Sequence, residues 1–159
     1  MILVNVKSSV ESIRIGPSLC WANWSPIKTY YTREGLDMLN ILIVDDENVV
    51  LEVLQAILTR LGHHAETASD GREGLSMFDS RVYDLVITDI LMPDIDGHGV
   101  ARHIRSSGRP NTPIIGISGT PWFLEGDMFD SVIPKPFTVQ ALANAIHDAV
   151  GNPITTGMS

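Results

Sequence analysis

From residue 39 onward, short apolar runs alternate with segments whose apolar residues recur every three to four positions. Leu39-Asn40-Ile41-Leu42-Ile43-Val44 predicts a strand that ends in Asp45-Asp46-Glu47. Val50, Val53, Leu54, Ile57, Leu58 and Leu61 then mark one face of a helix, with Gly62 where a C-terminal glycine belongs. His64-Ala65-Glu66-Thr67-Ala68 predicts a second strand, and Asp70 with Glu73 three residues on has the form of a capping box opening a helix through Leu75 and Phe78. Leu85-Val86-Ile87 runs apolar into Thr88-Asp89, and the turn residues Pro93, Asp94, Asp96 and Gly97 follow. Val100, Ala101 and Ile104 give a third helix whose other face carries Arg102 and Arg105. Pro113-Ile114-Ile115-Gly116-Ile117-Ser118 is a fourth strand. Between Thr120 and Asp130 at most a short helix fits, because Gly126 falls inside it. Ser131-Val132-Ile133 is a brief fifth strand before Pro134-Lys135-Pro136, and Val139, Leu142, Ala143, Ile146 and Val150 mark a last helix stopped by Gly151.

Five strands alternating with five helices predict an α/β fold, an open, doubly wound parallel sheet with helices on both faces. Strands apolar throughout are buried on both faces, so polar residues at their C-terminal ends are delivered to the edge where such sheets bind ligands. Strand one ends in Asp45-Asp46, strand three in Asp89, strand four in Ser118 and strand five leads to Lys135. Singly, each has a bland explanation as a helix cap, a turn former or a solvated lysine. Their joint occurrence at successive strand ends favours a site.

Three carboxylates converging on one point repel one another, and a bound divalent cation relieves this. Oxygen ligands in an open crevice favour Mg²⁺, which keeps several waters and takes one or two carboxylates plus a phosphate. A hydroxyl and an ammonium facing the same point supply donors for phosphoryl oxygens. The set therefore reads as a phosphoryl site with Asp89 as nucleophile and Lys135 stabilising charge in the transition state. Asp94 and Asp96 read as loop solvation. The five histidines show no metal spacing and read as surface residues.

Asp45-Asp46, Asp89 with Met92-Pro93 and Gly97, Ser118-Gly119 and Lys135-Pro136-Phe137 resemble, in order and spacing, the motif set of the response-regulator receiver domain. The resemblance covers residues 38–150. It implies a flavodoxin-like sheet of order 2-1-3-4-5, and phosphotransfer from a histidine kinase or histidine phosphotransfer protein. It further implies Asp89 as phosphoacceptor, Asp46 as a direct Mg²⁺ ligand, Asp45 as a ligand through water and the Leu91 carbonyl as another ligand. Ser118 and Lys135 would contact the phosphoryl group, across a cis Lys135-Pro136 peptide. Three departures stand out. Val132 occupies the place of the usual aromatic switch residue, three before the lysine, and the stretch from Ser118 to Lys135 is short by about a helical turn or more. Leu91 and Thr120 stand where the family tunes hydrolysis; an apolar Leu91 cannot orient attacking water, so the acyl phosphate is expected not to be unusually short-lived.

Charge and composition narrow the rest. The net charge of −8 is uneven: residues 1–37 hold four basic and three acidic residues, which leaves −9 for the remainder and argues against direct nucleic-acid binding. One cysteine, Cys20, excludes an internal disulfide, and no apolar stretch reaches membrane-spanning length, so a cytoplasmic protein is expected. Residues 1–37, with Trp21, Trp24, Tyr30 and Tyr31 but no periodicity, read as a non-native or disordered extension, with Met38 as the expected natural start. The rival reading is a docking segment. Residues 151–159 read as a polar tail. The whole predicts a stand-alone switch, a monomer or weak dimer, that changes its binding to a downstream protein and turns over no separate substrate. The alternatives are a receiver-fold binding module working without phosphorylation, and an Asp-nucleophile phosphatase. The latter's pattern has a second Asp two residues after the first, where Leu91 stands.

Overall fold

The computed structural model describes residues 38–119 and 128–151 of the chain. Five strands, β1 (Asn40–Val44), β2 (His64–Ala68), β3 (Leu85–Asp89), β4 (Ile114–Ser118) and β5 (Ser131–Pro134), form one sheet of order β2-β1-β3-β4-β5 with every pair parallel. The flavodoxin-like order expected from the resemblance is the observed one. Four helices occupy the described connections: α1 (Asn48–Leu61), α2 (Gly71–Ser80), α3 (Gly97–Ser106) and α4 (Val139–Gly151). The short helix allowed between Thr120 and Asp130 falls on residues 120–127, outside the described residues. So do the extension 1–37 and the tail from 152 on. Gly151, expected to stop the last helix, lies within it as its final residue.

Alternation along each strand sorts the core into two layers. Ile41, Ile43, Leu85, Ile87, Ile115 and Ile117 face Leu51, Leu54 and Leu58 of α1 and Leu142, Ala145 and Ile146 of α4. Leu42, Val44, Val86 and Ile114 face Phe78 of α2 and Val100, Ala101 and Ile104 of α3. Burying one such aliphatic side chain is worth about 1.5–3 kcal/mol, so both faces hold the sheet. The predicted face of α1 is buried or half-buried at Val50, Leu54, Ile57, Leu58 and Leu61, but Val53 is exposed and Leu51, not predicted, is buried in its place. No described helix is long and apolar enough to cross a membrane.

The local signals act as their chemistry requires. Gly62 takes φ 93° and its N–H donates to the Leu58 and Thr59 carbonyls, closing α1. Asp70 accepts from Glu73 N at 2.8 Å, and the Glu73 carboxylate accepts in turn from Ser69 N at 2.7 Å. Asp96, expected to be loop solvation, instead caps α3 by accepting from Gly99 N at 2.8 Å. Asp94 adopts φ 61°, the left-handed conformation that Asp tolerates better than most residues, and turns the chain between β3 and α3.

The exit from the β4–β5 connection is held by Arg105. Its Nη1 donates to the Pro110 and Thr112 carbonyls at 2.7 Å, and its Nη2 donates to Met128 O at 2.9 Å and Asp130 Oδ2 at 2.7 Å. Asp130 Oδ2 also accepts from Ile114 N. Arg105 is thus a structural clasp rather than part of a solvated face. His63, His98 and His103 are half-buried rather than on the surface. Leu39 N donates to His63 Nδ1, His98 meets the Phe129 ring edge-on at 5.3 Å, and His103 Nε2 lies 2.8 Å from Asp79 Oδ1.

Candidate functional site

The parallel topology brings the C-terminal ends of β1, β3 and β4 to one edge, and with them the polar residues that close those strands. Asp45 follows β1, Asp89 ends β3 and Ser118 ends β4; they are 1%, 7% and 1% exposed. The Lys135 N–H donates to the Ser118 carbonyl at 2.7 Å, extending β4–β5 pairing past Pro134 and placing the lysine beside the same edge. The Lys135–Pro136 peptide is cis.

The lysine ammonium joins the carboxylates. Lys135 Nζ lies 3.0 Å from Asp89 Oδ1, 3.3 Å from Asp45 Oδ2 and 3.9 Å from the exposed Glu47 carboxylate. Asp45 Oδ1 accepts from Glu47 N at 2.9 Å, which folds the acidic turn over the strand end. Asp45 therefore orders the turn and does not cap α1, whose N-cap is Glu47 without a side-chain cap bond. Burial pushes the Asp45 carboxyl above the usual carboxylate range. The Glu47 N–H and the Lys135 charge oppose this, and Asp89 reinforces it. Burial works to lower the Lys135 pKa, but the hydrogen bond to Asp89 and the charges of Asp45 and Asp89 outweigh it and leave the ammonium above its ordinary value.

Asp46 is exposed in the turn beside Asp45, and Leu91 lies exposed in the loop after β3. The repulsion expected between bare carboxylates is partly relieved by Lys135 itself, which stands between Asp45 and Asp89. The relief is incomplete, because Asp45, Asp46, Glu47 and Asp89 outnumber the one ammonium. Among the described residues no three acidic, histidine or cysteine groups make a ready metal cage. Mg²⁺ needs none: one or two carboxylates with retained waters suffice, and the buried Asp45–Asp89 pair beside Asp46 offers hard oxygen donors with surplus negative charge. The residues fit that ion.

One supporting feature, Gly97, already stood in the motif set, and a second, Thr88, carried no functional signal in the sequence. A Cβ on Gly97 would stand 2.4 Å from the Asp89 carbonyl oxygen, so only glycine lets α3 begin this close to the end of β3. Thr88, buried among apolar strand residues, donates its hydroxyl to the Asp89 carbonyl at 2.9 Å. A lone hydroxyl in an otherwise aliphatic strand was the available clue.

Comparison with known proteins points the same way as the geometry. The response regulator receiver domain family matches residues 41–147. A probable transcriptional regulator, ycf27, of Cyanidium caldarium is 37% identical over 108 residues, covering 65% of this chain and 43% of the relative. The sensor histidine kinase AtsR of Burkholderia thailandensis is 39% identical over 111 residues, covering 65% of this chain and 18% of the kinase. The chain thus spans less than half the length of these curated relatives. Among solved structures, the response regulator protein TrrA of Thermotoga maritima in complex with Mg²⁺-BeF superposes with a TM-score of 0.65 at 35% identity, covering 70% of this chain and 99% of that one.

Proposed function

The chain belongs to the response regulator receiver domain family of two-component signalling, and from that premise we propose that Asp89 accepts a phosphoryl group from a histidine kinase or histidine phosphotransfer protein and that the resulting acyl phosphate changes which protein the domain binds. The observation that carries this reading is the Lys135 ammonium held between two buried carboxylates, 3.0 Å from Asp89 and 3.3 Å from Asp45, at the ligand-binding edge of a parallel sheet. In the transfer, an Asp89 carboxylate oxygen forms a bond to phosphorus as the bond from phosphorus to the donor nitrogen breaks, and the nitrogen keeps the electron pair. Lys135 is within reach of the new phosphoryl oxygens, and the Ser118 side chain at the neighbouring strand end supplies a hydroxyl toward the same group. Asp45, Asp46, Asp89 and the Leu91 carbonyl would hold Mg²⁺, which when bound neutralises phosphoryl charge in the transition state. No separate substrate is turned over in this scheme. An exposed, apolar Leu91 presents no group to orient attacking water, so the acyl phosphate outlasts a timescale of seconds at neutral pH.

The test is incubation of the full chain with acetyl phosphate and Mg²⁺, followed by intact-mass measurement of wild type and Asp89→Asn. Gain of one phosphoryl group by wild type alone is the expected result. A second reading, a receiver-fold binding module that works unphosphorylated, is favoured by the half-buried Val132, which leaves the switch position without an aromatic ring. Failure of wild type to take up phosphate would select it, and steady hydrolysis of small phosphomonoesters would select an Asp-nucleophile phosphatase instead.

A further inference from the structure

Thr88 stands out because the fold gives it no packing reason to be polar. It shares its strand face with Val86, on the side of the sheet where the buried strand residues Leu42, Val44 and Ile114 are all apolar, and it is 0% exposed. Valine has the same shape, and a buried hydroxyl without a partner is costly. The Thr88 partner is the carbonyl of Asp89, at 2.9 Å.

Strand pairing explains why that carbonyl takes a side-chain donor. The register between β1 and β3 ends with Val44 opposite Thr88, so Asp89 lies one position past the last paired residue of β1. Asp45, which follows Val44, sends its N–H instead to the Ala68 carbonyl of β2. On the other side, Asp89 is still opposite Ile117 of β4, and Ile90 N donates to Ile117 O at 3.0 Å. The peptide between Asp89 and Ile90 is therefore held at both ends: its N–H by β4 and its C=O by the Thr88 hydroxyl. Gly97 closes the third direction, with its Cα against the Asp89 carbonyl and its N–H on the Ile90 carbonyl at 3.1 Å.

We propose that Thr88 is a positioning residue for phosphoryl transfer: its hydroxyl fixes the Asp89–Ile90 peptide plane, and with it the angle at which the Asp89 carboxylate meets Lys135 and the course of the chain into Leu91. The proposal rests on the phosphoacceptor reading above. Losing the hydroxyl leaves the carbonyl of that peptide without its donor while Ile117 still holds the N–H, so the nucleophile is displaced without dismantling the strand. Misplacement on the scale of an ångström costs up to a hundredfold in rate, and a partly restrained peptide corresponds to about tenfold.

The experiment compares Thr88→Val, which keeps the shape and removes the donor, with Thr88→Ser, which keeps the donor and removes a methyl group. Acyl phosphate formation from acetyl phosphate is followed by intact mass across Mg²⁺ and donor concentrations, with circular dichroism reporting the folded fraction. At saturating Mg²⁺, Thr88→Val should lose about tenfold in maximal rate per folded molecule, and Thr88→Ser should keep most of the wild-type rate. Equal rates for Thr88→Val and wild type, or a Thr88→Ser rate as low as that of Thr88→Val, would overturn the proposal. If Thr88→Val does not fold, the Thr88→Ser rate decides alone: near wild type supports the proposal, and a tenfold loss in folded protein ends it. If wild type takes up no phosphoryl group, the phosphoacceptor reading falls and this proposal with it.

Discussion

Two clusters of acids and cations sit on this sheet, and they are built on opposite principles. At the C-terminal edge, Asp45 and Asp89 share one lysine, and burial makes Asp45 harder to ionise in the fold than in the unfolded chain. Beside β2, Glu66 accepts from the Tyr83 hydroxyl at 2.5 Å and from Arg81 Nη1 at 2.5 Å, with His64 at 3.7 Å. The Tyr83 hydrogen bond, opposed by partial burial and aided by Arg81, holds Glu66 below the usual carboxylate range. The Glu66 cluster is satisfied and adds to stability; the Asp45–Asp89 cluster carries a surplus of charge that the fold tolerates. A saturated network is scaffold, and one with surplus negative charge is where an incoming cation gains most.

The largest expected effect comes from breaking a saturated network. Arg105→Ala strips four oxygen acceptors of one guanidinium and leaves the Asp130 carboxylate, which also holds Ile114 N, without its counter-ion. We expect a loss of about 3 kcal/mol in urea unfolding. A loss under about 1 kcal/mol would mean that the clasp is ornamental.

Next comes the alkaline limit of the Glu66 cluster. Burial, and then the Glu66 carboxylate, push the Tyr83 hydroxyl up to about 12 from an ordinary value of 10.0. The folded protein thus keeps a proton that the unfolded chain releases, so the stability from this bond is full below pH 10 and is lost as pH rises toward 12. Glu66 runs the other way: its pKa is lowered, so its contribution is lost as pH falls through the carboxylate range. Tyr83→Phe should cost about 1 kcal/mol at neutral pH and flatten the alkaline decline. An identical decline in wild type and variant would assign it to other groups.

The elements were legible because the fold is a regular alternation whose strands are almost purely aliphatic. The strand ends were legible because Asp45, Asp89, Ser118 and Lys135 each interrupt apolar text. What escaped depends on relations between distant residues. Val53 was misassigned because it and Leu51 flank the same apolar stripe of α1 at Val50 and Leu54, and only packing against the sheet shows which side of the stripe is covered. Arg105 looked like a solvated charge because its four acceptors come from three loop positions and one aspartate, which no local window contains. Thr88 was passed over because a missing ladder partner is a property of where β1 stops.

The smallest effect is also the one that separates the two clusters by sign. Asp45 is 1% exposed, and its pKa is raised in the fold, so ionising it at neutral pH costs stability that Asn at this position does not lose. Asp45→Asn is therefore expected to stabilise the protein by about 1 kcal/mol at pH 7 in EDTA, whereas Glu66→Gln destabilises it. Because the folded pKa of Asp45 is above its unfolded value, wild type gains stability as pH falls through that folded value. The gap between Asp45→Asn and wild type should then close with acidification rather than widen. Mg²⁺ should close it at neutral pH too. A ligand at ten times its dissociation constant adds about 1.4 kcal/mol to the state that binds it, and the variant lacks the carboxylate that would hold the ion. Urea midpoints at neutral and acidic pH, with EDTA and with Mg²⁺, give every comparison. A destabilised Asp45→Asn in EDTA would place Asp45 with Glu66 among the scaffold residues and remove the distinction between the clusters.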